Sequence, residues 1–342
     1  MQLRLGLNPY GFAYTVGLQG AGTPRANPQP TGPDGFLAVA RELGARVVEM
    51  HWTWLDAMPP TALEALRENL AATHTSSIVS VGLSHQPGET LEGAVQHARA
   101  LGAPLIRLGL TPVLEGSRAA WGSRWPGLVQ HAQKTLNQEA PRARDAGIDI
   151  AIEDHQDFGS EELVAMAEAA GPNVGIVFDT GNPFAVGEDP VAFAGRVAHR
   201  VRHLHLKDYR AQFTPEGYRL VRCAIGDGAV PFAAIRDVLT AHHSSLTASL
   251  EPGALDARHI RLFRPDWWHG YPPREASELG TALGRLRRTK LDESDAYQTP
   301  WEREAPPQEI IDYELAQVRR SMRLMSALLG SPSHHGSSHE HG

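Results

Sequence analysis

From Val201 to Asp208 the chain reads V-R-H-L-H-L-K-D. In an extended strand, where successive side chains face opposite ways, Leu204 and Leu206 share one side and Val201, His203, His205 and Lys207 the other. The same alternation recurs in Ile148 to Glu153, where Ile148, Ile150 and Ile152 oppose Asp149, Ala151 and Glu153. In Val174 to Asp179, Ile176 and Phe178 oppose Gly175, Val177 and Asp179; in Leu246 to Glu251, Leu246, Ala248 and Leu250 oppose Thr247, Ser249 and Glu251. Each aliphatic side is suited to packing on helices. Each opposite side leads to a chemically active residue: Glu153, Asp179, His205 and Glu251. Weaker versions of the pattern come earlier: Leu3, Leu5 and Leu7 against Gly6 and Asn8, Val48 and Met50 against Val47, Glu49 and His51, Val79 to Leu83 followed by Ser84-His85, and Ile106 and Leu108 against Arg107.

Between these strands the spacing predicts helices. They cover Pro33 to Leu43, stopped by Gly44; Thr61 to Thr73, with Leu63, Leu66 and Leu70 on one face; and Glu89 to Leu101, stopped by Gly102. Arg124 to Ala146 follows, which Pro141 is expected to break or kink. Then come Ser160 to Ala170, a helix opened by Asp189-Pro190, and one opened by Pro231 after a turn at Gly226-Asp227-Gly228. Strand–helix periods of roughly 25 to 40 residues, repeated eight times, predict an α/β protein, a (β/α)8 TIM barrel over residues 1–255 with a C-terminal helical extension. Residues 256–330 hold an aromatic run, Trp267, Trp268, His269 and Tyr271, and a long amphipathic helix from Ile310 to Leu329. This extension is expected to pack on the barrel or on a partner subunit, with a homodimer as one outcome. The aromatics are expected to bury themselves, a lid over a sugar being the sharper alternative. The His/Ser-rich tail 331–342 is expected to be disordered.

The chain's 342 residues leave room for one barrel of about 250 plus its extension. A net charge of −7 lacks the basic footprint of a nucleic-acid binder. The single cysteine, Cys223, excludes an internal disulfide, and no long apolar run marks a leader or a membrane span; both predict a cytoplasmic protein. If the four strands end at one mouth, Glu153, Asp179, His205 and Glu251 make an oxygen-rich cage with one imidazole, suited to a divalent cation: Mn2+ first, then Mg2+, Co2+ or Zn2+. Around it, His51, His85, Arg107, His155, Asn182 and Lys207 are the candidate substrate contacts. Glu49 and Arg107 both face inward, where an ion pair between them is the structural alternative.

The runs G-I-D-I-A-I-E-D-H, V-G-I-V-F-D-T-G-N, H-L-H-L-K-D, I-G-D-G-A-V-P-F and S-L-E-P-G, in that order, resemble the xylose isomerase-like superfamily of sugar isomerases and epimerases, which includes D-tagatose 3-epimerase and inosose dehydratase. The resemblance covers about residues 1–255. It implies a divalent ion on Glu153, Asp179, His205 and Glu251, and proton transfer beside a sugar carbonyl, through an enediolate, with Glu153 and Glu251 as the acid/base pair. It also implies a lyase as the alternative, removing water from a keto-sugar or keto-inositol after the same proton abstraction. The chain departs from the epimerases at Asn182, where they usually carry a histidine, and Arg210 is only near the position of their substrate-binding arginine. Endonuclease IV shares the fold, but the extra histidines of its zinc cluster have no counterpart at Asn182 or at Gly226-Asp227-Gly228. A non-catalytic sugar-binding barrel is the remaining alternative.

Overall fold

The computed structural model describes residues 1–83, 88–292 and 295–330. The barrel strands are β1 (Gln2–Leu7), β2 (Val47–His51), β3 (Ser76–Gly82), β4 (Leu105–Gly109), β5 (Asp149–Glu153), β6 (Val174–Asp179) and β7 (Val201–Leu206). After a hairpin of β8 (Tyr209–Thr214) and β9 (Gly217–Arg222) comes β10 (Ser245–Leu250), which closes the parallel barrel against β1. The closure is tight: a Cβ on Gly6 of β1 would lie 2.3 Å from the Val47 carbonyl oxygen, so glycine is required there.

Helices α1 (Gly32–Glu42), α2 (Pro60–Ala72), α3 (Leu91–Leu101), α4 (Trp125–Asp145), α5 (Ser160–Ala170), α6 (Pro190–Val197) and α7 (Phe232–Thr240) cover the aliphatic outer faces. One expectation is corrected. Pro141 does not break α4, which runs unbroken through it. Ala132, Leu136, Ala140 and Ala143 bury one stripe of this helix, and that packing outweighs the hydrogen bond proline removes.

Inside the barrel, Val47, Ile78, Leu105, Ala151 and Val177 form an apolar plug. One strand step toward the C-terminal mouth the same inward faces change character, to Glu49, Ser80, Arg107, Glu153 and Asp179, all buried. The register decides which groups meet. Between β6 and β7 it slips after Ile176, so His203 lies beside Val177 and His205 beside Asp179. Without that irregularity both histidines would be out of step with the inward-facing row.

The pattern did not foreshadow the hairpin. With β11 (Arg258–Ile260) it forms a small sheet in the order β11-β9-β8. Asp208 anchors it: its buried carboxylate accepts the backbone N–H groups of Tyr209, Gly226, Gly228 and Val230 at 2.8–3.0 Å, which also fixes the Gly226–Gly228 turn. In the extension, α8 (Ala276–Arg288) lies near β8, and α9 (Pro307–Gly330) packs against β1 and β10. Glu314 of α9 accepts from the N–H of Tyr14 (3.1 Å), and from the N–H and hydroxyl of Thr15 (2.8 Å each). The aromatic run packs on itself and on a buried arginine. Trp267 stacks on Tyr271 with ring centroids 4.8 Å apart, and the buried Arg118 guanidinium lies 4.0 Å from the Tyr271 ring centre. The tail 331–342 and His85 lie outside the described residues.

Candidate metal centre

Four strand ends bring Glu153, Asp179, His205 and Glu251 together, each offering a ligand atom within 4.8 Å of the others, and all four are buried. His205 Nδ1 is 3.0 Å from Glu153 Oε1 and 2.7 Å from Glu251 Oε2. Its other nitrogen, Nε2, lies 3.0 Å from Glu49 Oε1. With Nε2 protonated and donating to Glu49, Nδ1 is free to face a cation, the carboxylate–histidine–metal arrangement. Glu49 also accepts from Asn8 Nδ2 at 3.1 Å and lies 3.3 Å from His203 Nε2. His203 is tied at its other nitrogen to Thr247 Oγ1 at 2.6 Å, so it packs behind the cage.

Charge in the cage is tightly coupled. Burial opposes a charged His205, yet the Glu49 and Glu251 carboxylates push its pKa up to about 10. Burial would raise Glu251, but Lys207 and His205 hold its carboxyl well below the ordinary range. Glu49 is likewise held well below its ordinary value against burial, by His205 and His203. Lys207 Nζ lies 2.7 Å from Asp179 Oδ2 and 3.1 Å from Glu251 Oε1. Arg107 pairs with Glu153 and not with Glu49, a correction to the alternative read from the sequence. Glu49's oxygens are taken by His203, His205 and Asn8, and Glu153 is the carboxylate nearer to Arg107.

These residues fit a divalent ion. Three carboxylates and one imidazole are hard and borderline donors gathered at one point. Asp179 Oδ2 and Glu251 Oε2 stand close to cations but form no aligned hydrogen bond, contacts that a non-directional ion can satisfy.

Above the cage opens a cleft of about 410 Å3, its walls including Tyr10, Gln19, Arg107, His155, Lys207, Tyr209, Glu251 and Arg258. Of the expected substrate contacts, Arg107, His155 and Lys207 thus line it. His51 stands behind Tyr10, its Nε2 3.0 Å from the Tyr10 hydroxyl. Asn182 is buried beside Gln156, its side-chain oxygen 3.5 Å from Gln156 Nε2 and its backbone N–H on Asp179 Oδ1 at 3.1 Å. Tyr10, Tyr209 and Arg258 belong to the site without having been singled out from the sequence, whereas Glu49, read there as a partner for Arg107, serves His203 and His205 instead. Glu49 carried a signal, a carboxylate on an inward face; Arg258, in a stretch without periodicity, carried none.

The fold is a closed α/β barrel with an acidic cage at its C-terminal mouth. The chain belongs to the xylose isomerase-like TIM barrel family, whose model matches residues 37–262. Among curated relatives, an inosose dehydratase of Clostridium botulinum (strain Alaska E43 / Type E3) is 28% identical over 144 residues, 38% of this chain and 47% of that protein. The chain therefore spans about half the length of that relative. A 3-oxo-isoapionate decarboxylase of Pectobacterium atrosepticum is 22% identical over 253 residues, 73% of this chain and 85% of that protein. Among solved structures, a D-psicose 3-epimerase crystallised in the presence of D-fructose superposes with a TM-score of 0.59 at 15% identity, covering 96% of this chain and all of that one. Among the described residues no helix is long and apolar enough to cross a membrane.

Proposed function

We propose that this protein is a divalent-metal-dependent sugar isomerase or epimerase that moves a proton at a carbon beside a carbonyl. The carrying observation is the meeting of Glu153, Asp179, His205 and Glu251 within 4.8 Å at the floor of the cleft. Those four would hold the ion, manganese being the first candidate; when bound, it supplies charge neutralisation for oxygen next to the reacting carbon. Glu251 lines the cleft and is kept ionised by Lys207 and His205, so it can accept a proton from carbon. Glu153, buried and facing Arg107, is the second carboxylate; in its protonated form it would deliver its own proton to the carbon while Glu251 keeps the one it took. The substrate is a small carbohydrate and the setting cytoplasmic, in keeping with one buried cysteine and an acidic chain. A homodimer remains part of the proposal.

A second reading, a dehydratase, draws on Lys207. Its ammonium stands 3.1 Å from Glu251 and would steady a departing hydroxyl beside that base; the hydroxyl leaves as water with the proton Glu251 has taken. The inosose dehydratase relatives support it. Incubation of the Mn2+-loaded protein with ketoses and keto-inositols in D2O separates the two. Deuterium in a recovered isomer supports the first reading, loss of water the second. If neither exchange at a substrate carbon nor loss of water occurs with Mn2+ bound, both readings are overturned.

A further inference from the structure

Among the described residues, the side chains lining the cleft include three cations, Arg107, Lys207 and Arg258, and one carboxylate, Glu251. Arg107 is balanced by Glu153, and Lys207 by Asp179 and Glu251. Arg258, carried by β11, has no carboxylate within ion-pair distance among the described residues, and its Nε is buried without an acceptor. Two acidic groups beside β11 are engaged elsewhere. Asp256 accepts from Gln19 Nε2 at 3.3 Å and Trp301 Nε1 at 3.1 Å, and Glu115 accepts from the His259 N–H at 3.0 Å and faces Arg261 at 3.4 Å.

A second donor in the same wall lacks an acceptor. The Tyr209 hydroxyl is buried and unpartnered among the described residues, and it is close enough to feel the Arg258 charge. Burial pushes its pKa up to about 12, so it keeps its proton at neutral pH. The ring's seat is defined: a Cβ on Gly253 would lie 2.4 Å from Tyr209 Cε1, so glycine there makes room for it. Buried donors without acceptors are costly, and the cost is removed when an acceptor arrives. A sugar hydroxyl would accept from one of them but would bring a proton of its own to place. An oxyanion only accepts, and a guanidinium binds one in a charge-assisted way.

We propose that Arg258 and Tyr209 form a recognition site for an oxyanion carried by the substrate, a carboxylate or a phosphate, so that this enzyme acts on an acidic carbohydrate and not on a neutral ketose. The inference rests on the reading of this cleft as the active site. It assigns a role to the small β11-β9-β8 sheet: β11 brings a positive charge to the mouth of the barrel.

Matched pairs test it. Calorimetric titration of the full-length, Mn2+-loaded protein compares D-gluconate with D-glucitol for the carboxylate arm, and D-fructose 6-phosphate with D-fructose for the phosphate arm. In at least one arm the charged member is expected to bind about tenfold or more tightly than the neutral one, and the arm that responds identifies the oxyanion. Because a charged ligand could also favour the metal, R258Q and Y209F are the controls. Each is expected to bring the preference within about threefold while Mn2+ affinity, titrated separately, stays at the wild-type value. Y209F removes one oxygen from a buried ring and keeps the assignment testable should R258Q fold poorly. Equal binding within both pairs, or a preference that survives both variants, overturns the proposal. Failure of the protein to bind Mn2+ at all instead overturns the functional reading beneath it.

Discussion

At the scale of single residues, the cage depends on groups outside the ligand set. Glu49 holds His205 by Nε2 so that Nδ1 faces Glu153 and Glu251. Glu49→Gln keeps the shape but can present an N–H where a carboxylate accepted one, which permits the ring to turn or change tautomer. The expected outcome is a fall of about 10–100-fold in Mn2+ affinity, the range for outer partners of metal ligands. Titration of the metal into apo protein checks it, with the unfolding temperature of the apo variant as control. Unchanged affinity would show that Glu49 only fills space. The sequence placed Glu49 on an inward face but not its partners. His203 and His205 are 154 and 156 residues away along the chain, and spacing carries no trace of an encounter across the barrel. The four cage residues were legible because each lies at the end of its own alternating strand.

Secondary-structure elements explain which parts of the fold could be read and which could not. Strands buried on both sides alternate aliphatic residues with small or functional ones, and that made β5, β6, β7 and β10 visible. The β8–β9 hairpin mixes Arg210, Gln212, Arg219 and Arg222 with apolar neighbours and buries most of β9, Arg222 included, so no polar face stands out against a loop. The amphipathic α9 was visible, but not that its Glu314 reaches back to Tyr14 and Thr15. That contact has a pH signature. Burial raises the Glu314 carboxyl above its ordinary 4.5, outweighing Arg222 and the donors around it. A carboxyl with a raised folded pKa binds its proton more tightly folded than unfolded. Its contribution to stability is therefore fully present below pH 4.5 and is lost as pH rises through the folded value. The stability difference between wild type and Glu314→Gln should shift against the wild type between pH 4 and pH 7, by denaturant unfolding at each pH. A constant difference would mean the carboxyl is not perturbed.

For the whole molecule, the same four strand ends that form the cage belong to β5, β6, β7 and β10, contiguous staves on one side of the barrel. Without metal, His205, Lys207 and Arg107 are the cationic groups among the described residues that face these carboxylates. A divalent ion bound to the folded chain and absent from the unfolded one adds stability by mass action. The gain is about 2.7 kcal/mol when free metal is a hundredfold above Kd, on the order of 5 °C in Tm for a domain of this size. Since the imidazole must bind neutral and the carboxylates ionised, that gain should shrink as pH falls. Asp179→Asn tests the link between cage and fold. It removes one ligand charge while leaving an oxygen to accept the Gly181 and Asn182 N–H groups that Asp179 Oδ1 holds at 2.9 and 3.1 Å. The variant should keep the Tm of chelator-treated wild type to within a few degrees and lose most of the rise that Mn2+ produces in wild type. A rise of equal size in both would place the ion somewhere other than these four strands, and the carboxylates of the barrel mouth would then be neutralised by Lys207, Arg107 and His205.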